Sequence, residues 1–455
     1  MDQTIAAIST AVGEAGIGIV RLSGKDAINI GKEIFKSNRK NFEFENKKLH
    51  YGHIVDDKKV LDEVLIAFMK APNTYTREDM VEIYSHGGII PVKKILELCL
   101  KKGARLAEKG EFTKRAFLNG RLDLTQAEAV IDIIKAKSEK SYEVSLKQLE
   151  GSITKEVLEI QDILVKMMAF IEANIDFPED EIEEISHKEL LEDSKKAKER
   201  IKRLIDSFER GKILRDGLNT VILGKPNVGK SSLLNAILNE NRAIVTDIPG
   251  TTRDIIEEYI NIDGIPLKLV DTAGIRETED YVEKIGVLKT KETLSKADLI
   301  IALFDVSSPL TEEDKRIMEL VKDKKTIIML NKSDLERKLD ESYFKVNFPN
   351  ARVINSSITT GVGIDELIDT IKDLFYKEDV KIESDVVLNN IRHKNMLLKA
   401  YDTLLELEEE ILKNEPIDCL EVDIKSAWES LGEITGQSIS EDILDKIFSE
   451  FCIGK

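Results

Sequence analysis

Apolar positions along the chain change their spacing several times, and each change predicts a different kind of element. Up to about residue 118, short β-like runs (Thr4–Ile8, Ile17–Leu22, Glu63–Phe68 and Met80–Tyr84) are interleaved with two amphipathic stretches, near Ala27–Phe35 and Ile90–Leu100. That mixture predicts a compact α+β domain. From Leu124 the period lengthens. Leu149, Ile153, Val157, Ile160, Leu164, Met167 and Ile171 recur every three or four residues, which places them on one helix stripe. The segment from Asn174 to Pro178 is expected to break that helix, because proline has no N–H to donate. An acidic connector then leads to a second stripe, Ala197, Ile201, Leu204 and Phe208.

At Asn219 the pattern changes again. Short apolar runs that read as buried strands (Thr220–Leu223, Leu267–Val270, Leu299–Phe304, Thr326–Leu330 and Arg352–Asn355) alternate with helical stretches, an order that implies a largely parallel α/β sheet. After about Tyr376 the helical period returns through Leu397, Tyr401, Leu404 and Ile411, then Ile424, Trp428 and Leu431. The simplest architecture is an α/β domain inserted into a helical domain whose two halves flank it. The charge-rich segments 178–196 and 377–385 read as solvated connectors or exposed helix faces.

Composition narrows the class. A chain of 455 residues is too long for one ordinary core and predicts two to four domains. With 42% hydrophobic and 33% charged residues, it is expected to fold and stay soluble. No apolar run approaches the ~20 residues that span a bilayer, and the start at Met1-Asp2 lacks a basic leader. A cytoplasmic protein without a membrane partner is expected. Cys99, Cys419 and Cys452 have no spacing that suggests a disulfide framework or a zinc site. The net charge of −18 argues against broad nonspecific nucleic-acid binding, while a local basic face can still contact RNA.

Four motifs follow predicted strands in order. Gly224-Lys-Pro-Asn-Val-Gly229-Lys230-Ser231 opens an amphipathic helix, so Asn227, Val228, Gly229, Lys230, Ser231 and Ser232 are expected to cradle phosphates. Lys230 should reach the β- and γ-phosphates and the Ser231 hydroxyl should ligate Mg²⁺. Asp271, Thr272, Ala273 and Gly274 come directly after an apolar run, where a carboxylate can hold the metal through water and the Gly274 amide can sense a γ-phosphate. Asn331, Lys332 and Asp334 follow the next, and the Asp334 carboxylate can accept both guanine donors, which selects GTP. Ser356 and Ser357 stand where a loop backbone closes over the base. The set resembles the translation-factor-related GTPases, with Ser357 where many of them have Ala.

Ile275, after the third motif, has no polar group to orient an attacking water. Asn227 and the segment Thr246, Asp247, Ile248, Pro249, Gly250, Thr251, Thr252, Arg253 and Asp254 could instead surround a monovalent cation such as K⁺, which would place positive charge beside the phosphates. Thr252 is then the natural second hydroxyl on Mg²⁺. Among Glu277, Glu279, Asp280 and Glu283, one acidic side chain could orient water.

Three further stretches make the pattern specific: Gly110 to Ala129 (GEFTKRAFLNGRLDLTQAEA), His86-Gly-Gly88, and the chain end Phe451-Cys452-Ile453-Gly454-Lys455. Together with the four motifs they resemble the MnmE (TrmE) family of tRNA-modification GTPases over the whole chain. The resemblance implies a multidomain protein. Residues 1–118 would form an N-terminal α+β folate-binding-like and dimerisation domain, and 119–214 the first part of a discontinuous helical domain. Residues 215–377 would be the inserted α/β P-loop GTPase domain, and 378–455 the second helical part.

It further implies a homodimer that works with a flavin-dependent partner, MnmG (GidA), which carries FAD. The pair would attach an aminomethyl or carboxymethylaminomethyl group to C5 of the wobble uridine of certain tRNAs, using 5,10-methylene- or 5-formyl-tetrahydrofolate. The folate contacts carried over are Arg21, Glu82, Arg121 and Lys455. Asn227, Thr246, Ile248 and Thr251 carry over as K⁺ ligands and Glu283 as the residue that orients water. Cys452, beside the cationic Lys455, becomes a catalytic candidate. From spacing alone Arg21 and Arg121 read as surface charges, Glu82 as a solvent-facing strand residue and Cys452 as a small core residue. A GTPase that assembles ribosomes or RNA without covalent chemistry, and a one-carbon transferase with a regulatory insertion, are the alternative readings.

Overall fold

The computed structural model describes residues 3–38, 42–176, 183–240, 258–269, 294–376 and 386–455. The chain divides into two compact units, one of Met1–Ile134, Lys147–Lys198 and Lys399–Lys455, the other of Lys135–Leu146 and Glu199–Leu398.

The first unit contains a sheet of β1 (Ile5–Ile8), β2 (Ala15–Ser23), β3 (Phe35–Ser37), β4 (Leu49–Asp56), β5 (Lys59–Met69), β6 (Met80–Gly87) and β7 (Arg105–Leu106), in the order β3-β4-β5-β6-β2-β1-β7. All neighbours are antiparallel except β1 and β7. Side chains alternate along a strand, so Val20, Leu22, Val81 and Ile83 enter the core under α1 (Ala27–Ile34) and α2 (Ile89–Lys101). The intervening Arg21, Glu82 and Tyr84 are left toward the other face and are only partly buried.

After α3 (Glu111–Leu118) the helical period takes over with α4 (Leu124–Lys135), α5 (Glu139–Leu149) and α6 (Ser152–Asp176). Ile153, Val157, Ile160, Leu164, Met167 and Ile171 are all buried, as a single stripe requires. Leu149 is not on that helix. It ends α5, and Gly151, at φ +93°, separates the two helices in a backbone region that side chains with a Cβ rarely adopt.

The expected acidic connector is helical from Glu183 onward, in α7 (Glu183–Asp206). Its buried stripe already starts at Leu190 and Ser194, ahead of Ala197, Ile201 and Leu204, and this offsets the poor hydropathy of its outer face. Phe208 begins a separate helix, α8 (Phe208–Asp216).

The second unit holds a six-stranded sheet of β8 (Leu218–Leu223), β9 (Glu258–Ile262), β10 (Ile265–Leu269), β11 (Leu299–Asp305), β12 (Thr326–Asn331) and β13 (Arg352–Asn355). Its order is β13-β12-β11-β8-β10-β9, parallel except for the β9–β10 hairpin. The helices associated with it are α9 (Lys230–Glu240), α10 (Glu312–Val321), α11 (Glu341–Asn347) and α12 (Ile364–Tyr376).

Both faces of the central strands are buried: Leu233, Ile237, Ile364 and Leu367 pack on one core cluster, Met318, Val321 and Phe344 on another. Helices α13 (Ile391–Leu412), α14 (Ile417–Thr435) and α15 (Glu441–Ser449) complete the chain. In the first unit, Leu124, Ala127 and Ile131 of α4 pack with Leu444, Phe448 and Phe451. No helix of the described residues is long and apolar enough to cross a membrane.

Candidate functional site

The parallel register of the second sheet brings several loops out at one edge, because Leu223 ends β8 while Asp305 lies beside Asn331 and Leu330 beside Asn355. The first of these loops carries Gly224 (φ +159°), Asn227 (φ +61°) and Gly229 (φ +110°) before α9 opens at Lys230. A Cβ on Gly224 would lie 2.7 Å from Val228 Cγ1, and one on Gly229 would lie 2.5 Å from Asn331 Nδ2. Glycine is therefore required for the loop to close on itself and against the loop that begins at Asn331.

Asn331 is 4% exposed and joins those two loops. Its Nδ2 donates to the Val228 carbonyl at 2.7 Å, and its Oδ1 accepts from the Ile358 amide at 3.2 Å. The Ser333 amide donates to the Ser356 carbonyl and the Ser357 amide to the Val362 carbonyl, both at 3.0 Å. The buried hydroxyls of Ser356 and Ser357 have no hydrogen-bond partner among the described residues. Asp334, Ser231 and Ser232 are exposed at this edge, and Val228 is buried.

Lys230 Nζ donates to the carbonyls of Gly224 (2.7 Å) and Lys225 (3.0 Å), and burial pushes its ammonium below the ordinary lysine range. Lys332, at φ +65°, sends its Nζ to Asp305 Oδ2 at 2.6 Å. Burial raises the Asp305 carboxyl, but the hydrogen bonds from Lys332 and Ser307 outweigh it and hold the group below the usual carboxylate range. Thr246, Asp247, Ile248, Pro249, Gly250, Thr251, Thr252, Arg253, Asp254, Asp271, Thr272, Ala273, Gly274, Ile275 and Glu283 lie outside the described residues.

A second constellation occupies the first unit. Arg21 on β2 and Glu82 on β6 are cross-strand partners, and Arg21 Nε donates to Glu82 Oε1 at 2.8 Å. Tyr84, two residues along β6, donates its hydroxyl to Glu82 Oε2 at 2.6 Å. Burial and this bond push the Tyr84 phenol up to about 12. The Arg21 guanidinium lies 5.8 Å from the Tyr75 ring centre and 5.7 Å from that of Phe112. Arg121 is exposed but covers Tyr75 at 4.6 Å and donates to its carbonyl at 3.3 Å.

The last residues of the chain reach the same place. Arg21 Nη1 and the Ser9 hydroxyl both donate to the Gly454 carbonyl, at 3.4 and 3.2 Å. The Gly110 amide donates to the Cys452 carbonyl at 3.4 Å, and Lys109 bridges Ile453. Gly454 (φ +92°) lies so close to Ile8 that a Cβ would be 2.3 Å from its carbonyl oxygen. Lys455 is partly buried. Burial and the Arg21 charge lower its ammonium, with Glu82 and Cys452 opposing.

Arg21, Glu82 and Lys455 thus meet, with Arg121 joined to them through Tyr75. Cys452 is exposed rather than in the core. Sequence reasoning missed Tyr75, Phe112 and Tyr84. The one available signal for Tyr84 was its position two residues after Glu82 on a strand, hence on the same face.

The family model "GTP-binding protein TrmE N-terminus" matches residues 4–121, and the "MnmE helical domain" model matches 124–452. The tRNA modification GTPase MnmE of Clostridioides difficile is 55% identical over 461 aligned residues, and that of Finegoldia magna 53% over 455, each covering 100% of both chains. The chain belongs to the MnmE family. The G domain of the T. maritima FeoB iron transporter also aligns, over 34% of this chain and 97% of its own, at 25% identity and a TM-score of 0.27. For this MnmE-family chain the multidomain class stands: an α+β N-terminal domain, a helical domain discontinuous in sequence, and an α/β P-loop domain between its halves.

Proposed function

We propose that this protein is a GTPase that couples GTP hydrolysis to tRNA modification. With a flavoprotein partner, MnmG, whose FAD supplies the redox chemistry, it attaches an aminomethyl or carboxymethylaminomethyl group to C5 of the tRNA wobble uridine. The observation that carries the reading is the meeting of the chain end with β2 and β6. Residues 433 positions apart, Arg21 and Gly454, are hydrogen-bonded beside Glu82 in a chain that also carries a phosphate loop.

The donor set fits a reduced folate: Glu82 can accept from a pterin, while Arg21, Arg121 and Lys455 suit the anionic glutamate tail. Either 5,10-methylene- or 5-formyl-tetrahydrofolate would bring the one-carbon unit, and Cys452 is the exposed thiol beside it. The partnerships proposed are a homodimer through the N-terminal domain, MnmG and tRNA, in the cytoplasm. The wobble nucleosides of a strain lacking this protein, measured by mass spectrometry, should lose the C5 substituent. A wobble-nucleoside pattern unchanged from that of the parent strain would refute the reading. Arg21→Ala should weaken tetrahydrofolate binding about 10- to 100-fold, the worth of a charged hydrogen bond, and leave GTP hydrolysis unaltered. Calorimetric titration and phosphate release check the two halves.

In the second unit, phosphates would lie against the loop amides and the N-terminus of α9, with Lys230 on the β- and γ-phosphates and Asp334 on guanine. Mg²⁺, held through Ser231 and Thr252, and K⁺, held through Asn227, Thr246, Ile248 and Thr251, would add positive charge there, and Glu283 would orient water. Because Ile275 cannot orient water, hydrolysis should run about tenfold or more faster in K⁺ than in Na⁺ at equal ionic strength. Equal rates in the two salts remove the monovalent cation from the mechanism.

A further inference from the structure

The loop between β11 and α10 belongs to none of the four nucleotide motifs, yet it touches two of them. On the base side, Asp305 at the end of β11 pairs with Lys332 at 2.6 Å. On the phosphate side, Lys225 Nζ donates to Ser308 Oγ at 3.2 Å and to Asp314 Oδ2 at 3.1 Å. Asp314 is 2% exposed, and the same Oδ2 accepts from the Thr311 amide at 2.9 Å and the Thr311 hydroxyl at 2.7 Å, completing the capping box of α10. Its other oxygen, Oδ1, is buried without a partner among the described residues. The Lys225 ammonium is therefore the cation that compensates a carboxylate withdrawn from water.

The position of Lys225 adds a functional consequence. Its own carbonyl, together with that of Gly224, accepts from Lys230 Nζ. The side chain tied to Asp314 thus fixes the stretch of backbone that holds the phosphate-binding lysine. We infer that the segment Asp305–Asp314 is a positioning clamp for the guanine nucleotide, with Lys225–Asp314 setting the phosphate loop and Asp305–Lys332 setting the base loop. Lys225 is a positioning residue: it acts on bound nucleotide through the loop backbone and through Lys230.

The inference rests on the GTPase reading above and deepens it. It predicts an effect on ground-state binding more than on the chemical step, since a misplaced loop loses contacts made equally before and during hydrolysis. In full-length protein, Lys225→Met should raise KM for GTP and the Kd for GDP about tenfold, with kcat changed less than threefold. Asp314→Asn keeps an oxygen for the Thr311 cap and removes the charge, and should cause a similar loss. The double variant should be no weaker than the poorer single one, because both remove the same interaction.

Hydrogen exchange of the β8 and β11 amides in each variant separates this from simple structural damage. Unchanged KM and Kd, additive losses in the double variant, or a fall in kcat that follows faster exchange of those amides would each overturn the clamp. Wild-type protein that bound no guanine nucleotide would overturn the GTPase reading with it. Wild-type binding beside unaltered variants would overturn the clamp alone.

Discussion

Lys230→Ala is expected to abolish GTP hydrolysis, a loss of about a thousandfold or more, because on the proposed reading it removes the cation that serves the β- and γ-phosphates. The lysine is held in place by the Gly224 and Lys225 carbonyls, and burial already lowers its ammonium, so water cannot replace it at no cost. Tetrahydrofolate affinity should stay at the wild-type value, since Arg21, Glu82 and Lys455 belong to the other compact unit with its own core. In cells lacking the protein, the variant should fail to restore the modified wobble nucleoside. Phosphate release under single turnover and nucleoside mass spectrometry give the two readouts. Full restoration by Lys230→Ala would make the GTPase dispensable and favour a one-carbon transferase with a regulatory insertion.

Arg115→Ala should be the most destabilising single change in the first unit. Arg115 is 1% exposed, donating from Nη1 to Glu78 Oε2 at 2.9 Å, and from Nη2 to Glu111 Oε1 and the Gln3 carbonyl, each at 2.9 Å. Glu78 also accepts from Ser23 at 2.7 Å, so one guanidinium ties the segments just before β6 and β1 to α3 and, through Glu78, to the end of β2. Truncating it takes a buried cation away from both carboxylates, leaving Glu78 with Ser23 and Glu111 with Arg105 and the Glu108 amide, and should cost about 3 kcal/mol. Because the chain has several domains, global unfolding is a poor measure. Hydrogen exchange of β1 and β6 amides should instead accelerate by roughly 10²- to 10³-fold.

The sign with pH follows from Glu111. Burial raises its carboxyl, but Arg105, the Glu108 amide and Arg115 hold it below the ordinary range on balance. A lowered folded-state value contributes stability above the unfolded carboxylate pKa, about 4.3, and loses it as pH falls through the folded value. The gap between wild type and variant should therefore narrow in acid. Slow exchange retained in the variant at neutral pH would show that the network contributes little.

Elements whose signal was their own periodicity were legible. The α6 stripe and the β8, β10, β11, β12 and β13 runs each pack against a core, and a repeat of three to four or an unbroken apolar run records that burial directly. Strands β4 and β9 were not legible. Leu49, Tyr51 and Leu65 are apolar yet exposed on the sheet, which blurs the alternation around β4, and β9 is a five-residue edge strand read only through its hairpin with β10. The start of α7 was missed because acidic residues cover its outer face, although Leu190 and Ser194 are buried within it.

For the sites the division is similar. The loops after β8, β12 and β13 were readable as loops because each follows its own apolar strand, and a parallel sheet necessarily delivers such loops to one edge. No local pattern encodes which distant residues meet. The pairing of Arg21 with the Gly454 carbonyl, the hold of Tyr84 on Glu82, the burial of Arg115 among Glu78, Glu111 and Gln3, and the bond from Lys225 to Asp314 all depend on folding bringing separated chain segments together. Residue types and spacing by themselves determined the multidomain class and the family of GTPases to which the chain belongs. Only the tertiary structure decided which charges are withdrawn from water and which partners compensate them, because desolvation is a property of the packed surroundings.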